Sequence, residues 1–160
     1  MEAAHCRDSL DHLLTDEIAS LGELQRLLAQ EHALILANDI AGLERAGAAR
    51  QRCVAALVKV EMERRSLCRA FGRSEDHVGL EKLLAWCDAG GTLKRRWLEC
   101  SELAAGCRAH NDRNGMLVNT RLKRIESMLS ALGGSREPRL YSSHGATPIS
   151  RPRGTLATHA

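Results

Sequence analysis

The chain reads as all-α: an elongated antiparallel bundle of three long helices and one short helix, followed by a flexible C-terminal tail. Three observations predict this. All prolines (Pro138, Pro148 and Pro152) lie in the last 23 residues, leaving a proline-free stretch of 137 residues, which long helices require. Leu and Ala dominate an apolar content of 44%, while Phe71, Trp86, Trp97 and Tyr141 are the only aromatic residues. Both Leu and Ala are strong helix formers. No run of alternating β-branched residues suggests a sheet.

The spacing predicts a first helix over about residues 6–37. Leu14, Leu21, Leu28 and Ile35 recur every seven positions, joined by Leu10, Ile18 and Leu24, so all share one face. Asn38-Asp39 then offers a break and an N-cap. A second helix is expected over about 40–71, with Ile40, Leu43, Cys53, Leu57, Val60, Leu67 and Phe71 on one side. Gly72 supplies its stop, and Ser74 opens a new segment. Residues 76–88 read as a short helix carrying Val78, Leu80, Leu83, Leu84 and Trp86, ended by Asp88-Ala89-Gly90-Gly91. Trp86 and Trp97 are most simply core at one bundle end.

The third long helix runs from about Thr92, read as its cap, to Leu132, before Gly133-Gly134. Its apolar stripe recurs at Trp97, Cys100, Ala104 and Cys107 and resumes at Val118, Leu122, Ile125, Leu129 and Leu132. Carried through the gap, the stripe lands on Asn111 and Asn114, with Gly115 beside them. Gly115 costs roughly 1 kcal/mol of helix propensity relative to Ala. The two amides either fix helix register, as polar core residues do in coiled coils, or bond a bound chain. Connections this short make successive long helices antiparallel, and a thinly covered bundle leaves an apolar groove that invites a partner helix. The expected groove residues are Asn111, Asn114, Gly115, Val118, Leu122 and Ile125.

Two segments follow from composition: a bundle domain over 1–134 and a tail over 135–160. The tail is rich in Ser, Arg, Pro, Gly and Thr, and its large apolar residues are Leu140, Tyr141, Ile149 and Leu156. It buries too little surface to offset ordering entropy. The formal net charge of +3 resides there, as Arg136, Arg139, Arg151 and Arg153 against Glu137, whereas residues 1–132 hold 19 basic and 19 acidic residues. The bundle therefore lacks the large net positive charge of a typical nucleic-acid binder. The opening residues, with Glu2, His5, Arg7 and Asp8, do not read as a signal peptide. No apolar stretch approaches a membrane span. A soluble cytoplasmic protein is expected, without stable membrane insertion; weak self-association stays open.

Six cysteines, at 6, 53, 68, 87, 100 and 107, form no C-x-x-C pair. They read as small buried hydrophobes in a reducing compartment and not as a metal site. The seven histidines are scattered. No nucleophile–base arrangement, phosphate loop or paired acid motif appears, so no catalytic residue and no cofactor are expected. Arg50 and Arg64 share the apolar face of the second helix. One reading is an anion site in a small all-α enzyme. The favoured one is that their stems snorkel along the bundle and their guanidinia pair with acids on a neighbour.

Together these residues resemble the FlgN family of flagellar export chaperones. The resemblance runs from the leucine-rich first helix with Glu17 and Glu31, through Asp39, Leu43, Glu61 and Arg64. It is most specific at Asn-Asp-Arg-Asn-Gly-Met-Leu, residues 111–117, which looks like the family's N-x-x-N-G element. Tyr141-Ser-Ser-His-Gly145 is similar to its tail pattern. Departures are an arginine-bearing extension beyond Gly145 and Gly47 near the start of the second helix. The resemblance implies a non-enzymatic protein that binds C-terminal helical segments of the hook–filament junction proteins FlgK and FlgL in the cytoplasm. It would prevent premature assembly and deliver them to the export gate of the flagellar type III export apparatus. Tyr141 is then the residue expected to dock on that gate. A coiled-coil scaffold or a secretion chaperone with other cargo is the alternative that the residues alone leave open.

Overall fold

The computed structural model describes residues 2–133; the tail, with Tyr141 and the boundary near residue 134, lies outside them. Four helices follow in order: α1 (Glu2–Ala37), α2 (Ile40–Ala70), α3 (His77–Cys87) and α4 (Thr92–Leu132). This is the all-α bundle of three long helices and one short helix read from the sequence.

Each turn is closed by a named cap. Asn38 takes a left-handed conformation (φ 57°). Its N–H donates to the Ile35 carbonyl and the Asp39 N–H to the Leu34 carbonyl, the paired bonds of a Schellman stop. Asp39 then starts α2 by accepting from the Gly42 N–H at 2.8 Å, as an N-cap should. The same stop recurs at Gly72 (φ 64°), where the Arg73 N–H reaches the Cys68 carbonyl. Asp76 caps α3 through the Gly79 N–H at 2.9 Å. One cap departs from expectation. Thr92 is already helical, and its N–H and that of Lys94 donate to the Asp88 carboxylate at 3.1 and 3.0 Å. Asp88 therefore both ends α3 and starts α4.

α1 is the central helix: α2 and α4 both pack along it, and α3 closes the base against α1 and α2. The α1–α2 pair is antiparallel, with Glu17 beside Arg64 and Glu31 beside Arg50. α3 lets the chain turn at the base, so α4 rises again and lies parallel to α1. Its register is a constant offset of 86 positions. Cys107 Sγ donates to the Leu21 carbonyl, Asn114 Nδ2 to that of Leu28, and Arg121 to that of Ile35.

The core concentrates toward the base. Leu10, Leu28, Leu83 and Leu93 are fully buried, and all six cysteines are buried and reduced. Burial pushes every one of these thiols up, Cys6 and Cys100 to about 12. Trp86 corrects the expectation of a core residue: it stacks on Phe71 at 5.6 Å but stays 42% exposed.

Candidate functional site

The face of α4 that looked like one stripe is two. Leu93, Cys100, Cys107, Asn114 and Arg121, each seven apart, form the seam with α1; the first four are buried. Trp97, Ala104, Asn111 and Val118 form a second row one step around the helix. It faces a gap between α4 and α2.

Asn114 belongs to the seam. It is 5% exposed. Its amide nitrogen donates to the Leu28 carbonyl at 2.9 Å, which turns its oxygen toward His32 Nδ1, also at 2.9 Å. An amide oxygen only accepts, so His32 Nδ1 is the donor in this bond. Asn114, expected to line the groove, thus has its polar atoms bonded inside the bundle. Asn111 parts company with it and sits at the surface, accepting from Arg50 at 3.4 Å. Gly115 is exposed, and a Cβ built there would meet nothing within 4 Å. No described element makes the close approach that its glycine would permit.

The gap between α2 and α4 is bounded by two polar layers. At the lower one Arg64 donates to Glu17 at 2.6 Å and to Glu61, and lies 4.5 Å above the Trp97 ring. At the upper one Arg50 Nε lies 3.0 Å from Glu31 Oε1, while Nη1 reaches Asn111. In α1, α2 and α4 alike the layers are separated by fourteen positions, about 21 Å. Between them lies a cavity of about 370 Å³, with Leu21, Leu24 and Leu28 from α1, Val54 from α2, and Ala104 and Cys107 from α4. Each arginine thus pairs with an acid across the α1–α2 seam. The two lie in separate layers and do not converge on one anion site. Among the described residues no three His, Cys, Asp or Glu side chains are placed to hold a metal ion.

Above the upper layer the bundle thins. Arg121 donates to the Ile35 and Leu36 carbonyls and to Asn38 Oδ1, where a cation suits a helix C-terminus. Sequence reasoning missed this residue, although the heptad from Cys100 through Asn114 leads straight to it. α1 ends at Ala37, level with about residue 123 of α4. The last nine or so residues of α4 project about 14 Å beyond it. The apolar row continues onto this projection uncovered: Val118 is 40% exposed, Leu122 52%, Ile125 53%, Leu129 63% and Leu132 84%. Spacings of four, three, four and three make it an a/d row on which no helix packs among the described residues. Leu36 and Ile40, at the adjoining α1–α2 turn, are also exposed. Large contiguous apolar surfaces of this kind mark interaction sites.

No helix among the described residues is long and apolar enough to cross a membrane. No curated protein and no solved structure gives a significant match to the chain. The family model described as FlgN protein matches residues 1–149. The resemblance carried by Asn111–Leu117 and the surrounding helices is therefore a membership: the chain belongs to the FlgN family of flagellar chaperones.

Proposed function

We infer that this protein is a cytoplasmic export chaperone. It binds the C-terminal helical segments of the hook–filament junction proteins FlgK and FlgL, prevents their premature assembly, and hands them to the flagellar type III export gate. One observation carries the binding step. The a/d row from Val118 to Leu132 runs past the end of α1 with no partner of its own among the described residues. An amphipathic cargo helix laid on Val118, Leu122 and Ile125 completes that row, as helix-in-groove recognition does. Gly115 and the exposed Asn111 border the same face. Burying each such side chain contributes about 1.5–3 kcal/mol before ordering costs. Tyr141, in the tail tethered to this end, is the residue assigned to gate docking: it offers a ring and a hydroxyl at low rotamer cost.

The test is co-purification with a junction-protein C-terminal fragment, for the natural chain and for Leu122→Asp. Leu122 is half exposed, so the variant keeps its helicity and melting temperature by circular dichroism but loses the fragment. A folded Leu122→Asp protein with full affinity would remove the binding surface from this reading. Tyr141→Ala, by contrast, retains the fragment and loses export-gate binding; retained gate binding removes its assignment.

A further inference from the structure

The uncovered row ends where the tail begins. Val118, Leu122, Ile125, Leu129 and Leu132 rise in exposure along α4 from 40% to 84%, and Gly133-Gly134 follow at once. Leu140 and Tyr141 are the first large apolar residues of the tail and its one adjacent pair, since Ile149 and Leu156 stand alone. Reach favours this pair. Tyr141 lies nine positions beyond Leu132, and nine extended residues span at most about 30 Å. Leu122 lies about 15 Å back along α4 from Leu132, and Val118 about 21 Å. A random-coil tether of nine residues has an r.m.s. span of about 15–18 Å, which brings the pair over Ile125 and Leu122. Where span and distance match, the effective concentration is in the mM range, so even a weak contact closes.

A second copy lacks that advantage. The row offers five side chains, against the roughly 20–30 residues a side of a stable interface. Charge agrees with the tail as well. Glu126 follows Ile125 at the border of the row and has no basic partner within 4 Å among the described residues. Arg139 immediately precedes the apolar pair. We propose that Leu140 and Tyr141 fold back on α4 and cover Leu122, Ile125 and Leu129 until a cargo helix displaces them. This rests on the cargo and gate readings above and joins them. Tyr141 is withheld from the gate while the row is empty and released when the row is filled. Loading and gate docking are then coupled reciprocally. The apparent cargo affinity falls in proportion to the fraction of chains left open.

Tyr141 is the only tyrosine in the chain, so its ring signals in an NMR spectrum are unambiguous. The experiment records nuclear Overhauser contacts from that ring in the full, methyl-labelled chain, alone and with a junction-protein C-terminal fragment. Alone, the ring should contact the Leu122, Ile125 and Leu129 methyl groups at any protein concentration, and the fragment should displace it. Leu140→Ser and Tyr141→Ser together should tighten fragment binding about three- to ten-fold. Free-tyrosine ring shifts in the natural chain, or unchanged affinity in the double variant, would overturn the proposal. So would contacts that persist with the fragment bound. Contacts found only between differently labelled copies would assign the row to a second copy and also overturn it. Contacts in the free chain, with no fragment binding by either protein, would support the tail cover and remove the cargo reading instead.

Discussion

Asn114 donates to the Leu28 carbonyl just as Cys107, one heptad below, donates to that of Leu21. An amide thus takes a seam position that a small apolar residue could hold. Buried polar groups of this kind select register at a cost in stability. Asn114→Leu should match or exceed the natural melting temperature, because an apolar side chain then meets Leu28. Amide exchange over the upper half of α4 should quicken as neighbouring registers become accessible. Asn114→Ala should cost about 1–2 kcal/mol through lost hydrogen bonds, including that to His32. If Leu destabilises as much as Ala, the amide contributes stability and not register.

Arg64 and Glu17 are both mostly buried, at 13% and 16% side-chain exposure. Removing one partner strands the other's charge. Arg64→Leu should therefore cost about 3 kcal/mol, the low end for a broken buried pair. Replacing both Glu17 and Arg64 by Leu should return stability to within about 1 kcal/mol, since well-packed apolar pairs often match ionic ones. Urea unfolding of the two singles and the double closes the cycle. Additive losses would mean that the Trp97 contact or Glu61, and not Glu17, is what Arg64 serves.

The helix boundaries were legible because they rest on local chemistry: a left-handed stop at Asn38 or Gly72, a carboxylate cap at Asp39. So was the core face of α1, since a heptad of leucines has one reading. The two rows of α4 were not separable, because Cys100–Cys107 and Trp97–Ala104 are neighbours on the helix wheel. Only docking against α1 decides which row is covered. That is why Asn111 and Asn114 read as a pair and part in the fold. Arg121 escaped notice because a charged side chain on an apolar heptad looks like the stripe's end. Its partners, the last carbonyls of α1, lie more than eighty residues away. The uncovered projection required the lengths and the parallel register together: α4 has 41 residues and α1 has 36.

The six buried thiols give the fold an alkaline limit. Cys6 and Cys100 are pushed up to about 12 by burial, against about 8.5 in an unfolded chain. A thiol that stays protonated only when folded gives the native state more bound protons. Stability is then full below about pH 8 and falls as pH rises through 9 toward 12. Each such thiol removes about 1.4 kcal/mol per pH unit in that window. Urea midpoints at pH 8 and pH 10 should show the fall, and Cys100→Ala should lessen it. At pH 8 a thiol reagent should modify none of the six until urea unfolds the chain. Fast labelling of a fully helical sample would contradict the burial of that cysteine.

Gly115 separates what the bundle needs from what a partner needs. In a helix interior glycine is worse than alanine by about 1 kcal/mol, and nothing among the described residues requires it, since a Cβ there meets open space. Gly115→Ala should therefore stabilise the free protein, raising its melting temperature by several degrees, as about 1 kcal/mol does for a domain of this size. The glycine lies about one turn from Val118 and two turns from Leu122 on the uncovered face, where a docked helix would approach the α4 backbone. If cargo uses that approach, the same methyl group lowers affinity for the junction-protein fragment while the protein itself becomes more stable. Opposite signs for stability and binding, measured on one variant, mark a position kept for a partner. A stabilised variant with unchanged affinity would place the cargo helix farther along the row, over Ile125, Leu129 and Leu132.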